Sequence, residues 1–416
     1  AGVAVPRLRD QLGEVANRFF SRPSEALRVA GITGTNGKTT TAWLVTQASA
    51  RLGGSAGYVG TLGHGLNGQL RAGELTTPDC ISFHRQLREL ADEGATHVVA
   101  EVSSHALDQE RVAGVRFATV AFTNLTRDHL DYHPDLAAYG AAKARLFALG
   151  AGTAVINLDD PFGRELAGRL PAGTRLLGVT LAGAPGASLA GTLATPGSDG
   201  LVLDVQSGGQ CARLTSPLWG RFNAENLLMA AGILLGSGWP LDRVADALGS
   251  CGAPPGRMER VPGAPDQPAV LVDFAHTPDA LRKALAAVRE HCRGEIWCVF
   301  GCGGDRDRGK RAPMGAAAVA CADRVIVTDD NPRTEDPQQI IADILAGAPS
   351  LDRLQVVPDR AAAIGRALRL ARPGDAVLIA GKGHETVQVA GLSSRPFSDV
   401  AVARAALSAL AQGGSS

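Results

Sequence analysis

Short runs rich in Val, Ile and Ala recur along this chain, at 27–32, 97–102, 118–122, 154–158, 269–274, 296–300, 325–328 and 376–380, and each meets Gly, Asp, Asn, Ser or His within two residues of its end. Continuous apolar runs of this length suit strands buried on both faces, which is how parallel sheets present themselves in a sequence. Between them lie helical patterns at 39–51, 280–290, 311–320 and 360–370. Strand and helix in alternation predict a doubly wound α/β architecture, with function in the loops that follow the strands. The rhythm breaks at 178–214, where Gly, Thr and Ser interrupt short alternating stretches, as in a small antiparallel insertion, and a helical pattern resumes at 223–236. Two consecutive prolines between glycines, Gly252-Ala-Pro-Pro-Gly256, cannot continue a helix and mark a domain boundary. No internal repeat stands out, and low complexity is confined to the tail at 413–416.

At 416 residues the chain is long enough for two or three domains. Basic and acidic residues number 41 each, so the totals carry no footprint for nucleic acid or an anionic membrane. The seven cysteines are scattered without a CxxC pair, which argues against a disulfide framework or zinc site and for a reducing cytoplasm. No apolar run approaches the ~18 residues that would span a bilayer, and neither an anchor nor a signal peptide is expected. Only five lysines occur, Lys38, Lys143, Lys283, Lys310 and Lys382, and four of them are expected in functional loops.

The strongest chemical signal is Gly31-Ile-Thr-Gly-Thr-Asn-Gly-Lys-Thr-Thr40, directly between a strand and a helix. Gly34 and Gly37 let the backbone curl so that its N–H groups, with Thr35 and Asn36 between them, form a cradle for phosphate at a helix N-terminus. Lys38 would reach the terminal phosphates, Thr39 would hold Mg²⁺, and Thr40 completes the loop. Downstream, Glu101 closes a strand as a hard-oxygen candidate for the same ion.

The GTNGKTT core resembles the ATP loop of the Mur ligases, and later segments resemble the tripeptide-forming branch of that family from about residue 5 to about residue 410. The resemblance implies a central P-loop ATPase-like parallel-sheet domain with a small β insertion at 29–253, and a C-terminal Rossmann-like α/β domain at 254–416. Residues 1–28 are then a linker, or the remnant of an N-terminal UDP-binding domain that this chain otherwise lacks. It implies ATP and Mg²⁺, with His129 beside Glu101 and Thr39 at the metal, and with Lys143 carbamylated by CO₂ into an oxygen ligand. A helical lysine that is solvated or binds phosphate is the alternative for Lys143. Asn223 and Asn226 match the nucleotide-contacting segment, and Arg257, Asp273 and His276 match groups that close over the nucleotide, Arg257 offsetting phosphate charge.

Thr76, Thr77, Ser103, Gln109 and Arg111 match the positions that hold UDP-MurNAc-L-Ala-D-Glu. Three strand-end loops supply Arg306, then Asp330-Asn331-Pro332-Arg333, then Gly381 and Glu385, matching the pocket for an incoming diamino acid. Arg333 is assigned to its distal carboxylate, Arg306 to the other carboxylate and Glu385 to its distal amine. meso-Diaminopimelate is the first candidate, with L-lysine and L-ornithine as alternatives. The implied activity is ATP-driven amide formation through an acyl phosphate by a cytoplasmic, bacterial, monomeric enzyme without a nucleic-acid partner, Lys38, Lys143, Arg257 and His129 being its catalytic candidates. A folylpolyglutamate-synthase-like ligase and a non-catalytic nucleotide-binding protein remain as rivals.

Overall fold

The computed structural model describes residues 8–195, 197–348, 350 and 352–413. They form two compact units, one from residues up to 195 with 201–217 and 222–251, the other from 197–200, 218–221 and 252 onward.

In the first unit strand Arg28–Thr33 runs parallel between His97–Glu101 and Phe117–Phe122. From Phe117–Phe122 the sheet continues in parallel through Thr153–Asn157 and Arg175–Thr180 to Leu189–Leu193. Only then do two hairpin connections bring in Leu201–Ser207 and Gln210–Ser216 antiparallel. The stretch read from sequence as an insertion is thus the edge of the main sheet, and its first two strands are parallel. Its polar alternation reflects an edge with one wet face, which periodicity alone does not distinguish from a separate hairpin. At the other edge Ala56–Gly60 is parallel to His97–Glu101 and turns into the short hairpin strands Gly63–Leu66 and Gln69–Arg71.

The start of the chain holds more than a linker: helices Leu8–Phe19 and Pro23–Ala26 precede the first strand, and Ala16 and Leu27 are buried. Ser24 Oγ accepts the Arg116 N–H at 3.1 Å, which ties this segment to the first unit. Residues 1–7 and 414–416 lie outside the described residues.

The second unit has a six-stranded sheet in the order Glu259–Val261, Ala269–Asp273, Ala376–Ala380, Ile296–Phe300, Arg324–Val327, Leu354–Val356, parallel except for its first strand. Successive side chains alternate between two cores. Leu271, Cys298, Phe300, Val325 and Leu378 pack with Leu281, Leu285, Met314 and Ile344 of helices Pro278–His291, Arg311–Cys321 and Pro337–Leu345. Val270, Trp297, Val299, Ile326 and Ile379 pack with Ile364, Leu368 and Leu407 of Arg360–Leu370 and Asp399–Gly413. Helices on both faces explain why these strands read as unbroken apolar runs. No helix among the described residues is long and apolar enough to cross a membrane.

Candidate active site

Strand Arg28–Thr33 feeds helix Lys38–Arg51 through the four-residue turn 34–37. Gly34 has φ 146°, and a Cβ there would lie 1.9 Å from Thr123 Oγ1; Gly37 has φ 84°, and a Cβ there would lie 2.3 Å from Asn226 Oδ1. Both positions therefore demand glycine twice over, by conformation and by contact. The turn is strapped to the chain leaving strand Phe117–Phe122. Thr35 N–H donates to Asn124 O at 2.8 Å, Asn36 N–H to Asn124 Oδ1 at 2.9 Å, and Thr123 Oγ1 to Asn36 O at 2.6 Å. The first-turn N–H groups of the following helix have no intrahelical acceptors, so this strapped turn, with glycine at both ends, presents a donor set of the kind that suits an anion.

Lys38 Nζ stands at this turn, 2.8 Å from Gly34 O and 2.9 Å from Thr35 O. Lys143 Nζ approaches the same Gly34 carbonyl at 2.9 Å from helix Leu136–Ala144. It is thus a helical lysine, as its own stretch of sequence reads. The side chain is fully buried against the Tyr139 ring. Burial, reinforced by the neighbouring Lys38 charge, brings its pKa down to about 6, with Asp128 opposing. Burial likewise pushes the Tyr139 phenol up to about 12. Burial lowers the His129 pKa, with His105, Lys38 and Lys143 reinforcing and Asp128 opposing. His129 packs edge-on against His105 and Tyr139 and holds a left-handed backbone, φ 53°.

On the other side of the loop Thr39 Oγ1 donates to Glu101 Oε2 at 2.8 Å. Thr61 adds its hydroxyl to the same oxygen at 3.2 Å and its N–H to Oε1 at 2.9 Å, while the Tyr58 hydroxyl also donates to Oε1. Glu101 is fully buried, held by neutral donors and joined to no cationic side chain among the described residues. A buried carboxylate flanked by hydroxyls, next to a phosphate cradle, is a donor set that fits Mg²⁺, which takes hard oxygens and keeps phosphate or water in its remaining positions. No group of three or more His, Cys, Asp or Glu side chains among the described residues is placed to hold a metal.

Thr76, Thr77, Ser103, Gln109 and Arg111 come together in the first unit. Thr76 Oγ1 is 3.1 Å from Thr61 Oγ1, and buried Thr77 bridges Glu101 O and the Ser103 N–H. Arg111 donates to Thr77 O at 2.9 Å and grips Gln109 Oε1 through Nε at 3.0 Å and Nη2 at 2.7 Å. Ser103 Oγ caps the helix that follows. Asn223 and Asn226 are buried in helix Arg221–Gly236, and Asn226 braces Gly37 and the Thr41 hydroxyl.

In the second unit two clusters share the loop that leaves strand Ala376–Ala380. Arg257 lies over the Phe274 ring, whose other neighbours are His276 and His384. Asp273 accepts the N–H groups of Met258 at 2.7 Å and Ala275 at 2.8 Å; burial raises its pKa although Arg257 and both N–H groups oppose. Gly256 permits this arrangement, because a Cβ there would sit 2.1 Å from the His384 nitrogen. On the far side of the loop Lys382 is fully buried and donates to Asn331 Oδ1 at 3.0 Å and Glu385 Oε2 at 2.9 Å, with Asp330 Oδ1 4.0 Å away. Asn331 Nδ2 also donates to Glu385, at 2.7 Å. Burial pulls the Glu385 pKa up, but Lys382 and Asn331 outweigh it and leave it lowered; burial dominates at Asp330 and raises it. Arg333, φ 51°, donates to Gly304 O at 2.7 Å, and Arg306 lies beside it across Gly303.

The Mur ligase middle domain matches residues 32–234, and the Mur ligase glutamate ligase domain matches 256–383. The chain belongs to the Mur ligase family. It is 52% identical to a UDP-N-acetylmuramoyl-L-alanyl-D-glutamate–2,6-diaminopimelate ligase of Alkalilimnicola ehrlichii, over 95% of this chain and 80% of the relative. The ligase of the same name from Xylella fastidiosa is 49% identical, over 98% and 83% respectively. A solved structure of a ligase with this name aligns with TM-score 0.76 and 37% identity, over 98% of this chain and 84% of that one. A folylpolyglutamate synthase from Mycobacterium tuberculosis shares the fold, with TM-score 0.69 at 20% identity.

Within this Mur ligase, the sequence pattern does not single out Tyr58 and Thr61, which hold Glu101, or Asn124, which holds the turn 34–37. Thr61 and Asn124 each follow a strand, so the strand-end rule could have found them; Tyr58 lies inside a strand and carried no signal. Lys382 stands out in sequence as one of five lysines, but its pairing with Asn331 and Glu385 does not. Left-handed backbone at His129, Met258, Asp305 and Arg333 is likewise invisible in sequence; such conformations persist where the surroundings over-determine them.

Proposed function

We propose that this chain joins a diamino acid, meso-diaminopimelate, to UDP-MurNAc-L-Ala-D-Glu at the expense of ATP. The observation that carries the reading is the 52% identity to a ligase of that name, spread over 95% of the chain and so taking in every cluster described above. The D-Glu γ-carboxylate attacks the γ-phosphorus of ATP, ADP leaves, and an acyl phosphate forms. The amine of the diamino acid then attacks the acyl carbon, and the tetrahedral adduct expels inorganic phosphate and loses a proton to leave the amide.

In this reading the turn 34–37 and the helix behind it hold the triphosphate, and Lys38 offsets charge as the γ-phosphoryl group moves. Thr39 and Glu101 would hold Mg²⁺, which supplies charge neutralisation and alignment of phosphate oxygens when bound. The lowered pKa makes Lys143 neutral at physiological pH, the state in which an amine adds to CO₂. Carbamylation would turn it into an oxygen ligand near His129. Asn226 positions the loop, while Arg257, Asp273 and His276 keep their assignment to the nucleotide. Thr76, Ser103, Gln109 and Arg111 receive the acceptor's peptide carboxylates, with Thr77 tying the group together. Arg306 and Arg333 are donors for the carboxylates of the diamino acid, and Glu385 is an acceptor for its distal ammonium. Asp330, Asn331, Pro332 and Gly381 shape that pocket. The chain is taken to act as a monomer in the cytoplasm.

The test is phosphate release with ATP, Mg²⁺ and UDP-MurNAc-L-Ala-D-Glu against meso-diaminopimelate, L-lysine and L-ornithine. Release with meso-diaminopimelate well above the other two, with the tripeptide product seen by mass spectrometry, is expected. Preferential use of L-lysine would overturn the substrate assignment, and ATP binding without phosphate release would overturn the activity.

A further inference from the structure

Arg333 is held by a hairpin to which the reaction scheme assigns no part. Strands Val387–Ala390 and Ser393–Pro396 form a two-stranded ribbon of their own. Arg333 N–H donates to Val389 O at 3.1 Å and Gly391 N–H donates to Arg333 O at 2.6 Å, so Arg333 joins the ribbon as a short parallel bridge with Ala390. That pairing secures the left-handed backbone of Arg333, φ 51°, which a residue with a Cβ does not hold unaided. Buried Gln388 fastens the ribbon to the strand-end loop. Its Nε2 donates to Asp330 O at 2.7 Å, and its Oε1 receives Arg395 Nε at 3.1 Å and Nη2 at 2.7 Å. Gln388 and Arg395 face each other directly in the ribbon register. The guanidinium occupies the carbonyl end of the carboxamide and thereby aims its NH₂ end at the loop.

We infer that Gln388, oriented by Arg395, is a positioning residue that sets where Arg333 stands and so sets selectivity for an amino acid with a carboxylate at its far end. The inference rests on the assignment of Arg333 made above. An arginine fork is directional, so a shift of its backbone weakens recognition of a carboxylate while an amino acid ending only in an ammonium loses nothing. Gln388 touches no substrate; its effect passes through Asp330, Asn331 and Arg333.

The experiment measures phosphate release by the full chain for Gln388→Met, which keeps length and removes donor and acceptor, and for Gln388→Glu, which keeps the acceptor for Arg395 and loses the donor. Both are expected to raise KM for meso-diaminopimelate about ten-fold, the effect of losing one buried hydrogen bond. KM for ATP and kcat should stay within about two-fold, and the preference over L-lysine should narrow by a similar factor to the KM change. Arg395→Ala, at a largely exposed side chain, should move the same parameters in the same direction by about three-fold, and carries the test should the core variants fail to fold. An unchanged KM for meso-diaminopimelate in folded variants overturns the inference, as does a joint shift of kcat and all KM values, the mark of general loosening. Wild-type protein that releases no phosphate with meso-diaminopimelate overturns the reaction itself and this inference with it; active wild type with unaltered variants overturns the inference alone.

Discussion

Replacing Arg360 by Met separates what stabilises the second unit from what shapes its site. Arg360 and Asp399 are both 0% exposed and form a two-pronged pair, Nε to Oδ1 at 2.7 Å and Nη2 to Oδ2 at 2.8 Å. Nη2 also donates to Ala380 O at 3.0 Å, and Nη1 lies 3.5 Å from Asp329 O. These are the residues immediately before Gly381 and Asp330, so one guanidinium links the starts of the two loops proposed above to receive the diamino acid. Met fills much of the space but leaves the Asp399 carboxylate buried without a counter-charge, a defect that costs about 3–5 kcal/mol. For a unit of this size that lowers Tm by roughly 6–20 °C. Arg360→Met with Asp399→Leu removes both charges and should recover most of the loss, remaining about 1 kcal/mol below the parent because Asp399 also opens a helix. Neither variant supplies a donor for Ala380 O, so KM for meso-diaminopimelate should stay raised in the stable double variant. Differential scanning calorimetry and phosphate-release kinetics on the same preparations test this. A single variant that loses less than about 1 kcal/mol, or a double variant as unstable as the single, would refute the reasoning about the buried pair.

Lys38→Ala should abolish phosphate release with circular dichroism and Tm near the parent, since the proposed reaction gives Lys38 a role on the triphosphate and not in a core; a fully active variant would remove it from the mechanism. Gly34→Ala should raise KM for ATP or abolish turnover, because the new Cβ meets Thr123 Oγ1 at 1.9 Å, and Gly34→Ala with Thr123→Ala should restore part of the activity by removing that oxygen; no rescue would mean that φ alone decides. Lys143 is protonated in the unfolded chain up to about pH 10.5, yet its folded pKa is about 6, so the fold carries a penalty that is full below about pH 6 and fades as pH rises to 10.5. Lys143→Met in CO₂-free buffer should therefore raise Tm more at pH 6 than at pH 9, while parent protein given ¹³C-bicarbonate at pH 8 should show a carbamate carbon by NMR that the variant lacks. Equal Tm gains at both pH values would place the Lys143 pKa elsewhere.

Much of this protein was legible before any coordinates. The buried strands announced themselves because a parallel sheet covered on both faces needs apolar residues at every position, as in 296–300 and 376–380. The strand-to-helix turn at 34–37 was legible because its signal is local: two glycines, a lysine and a threonine lie side by side in the sequence. Tertiary structure alone decided the rest, since it turns on groups distant in sequence. Glu101 meets Thr39 from 62 positions away, and Lys143 reaches Gly34 from 109. Lys143 reads as an ordinary helical lysine, and only burial beside a second ammonium makes it an amine neutral at physiological pH. The left-handed turn of Arg333 depends in the same way on a hairpin more than fifty residues downstream. Composition and spacing report what a residue can do; the dielectric around it, and the partner brought to it by the sheet, determine which charge state and direction it holds.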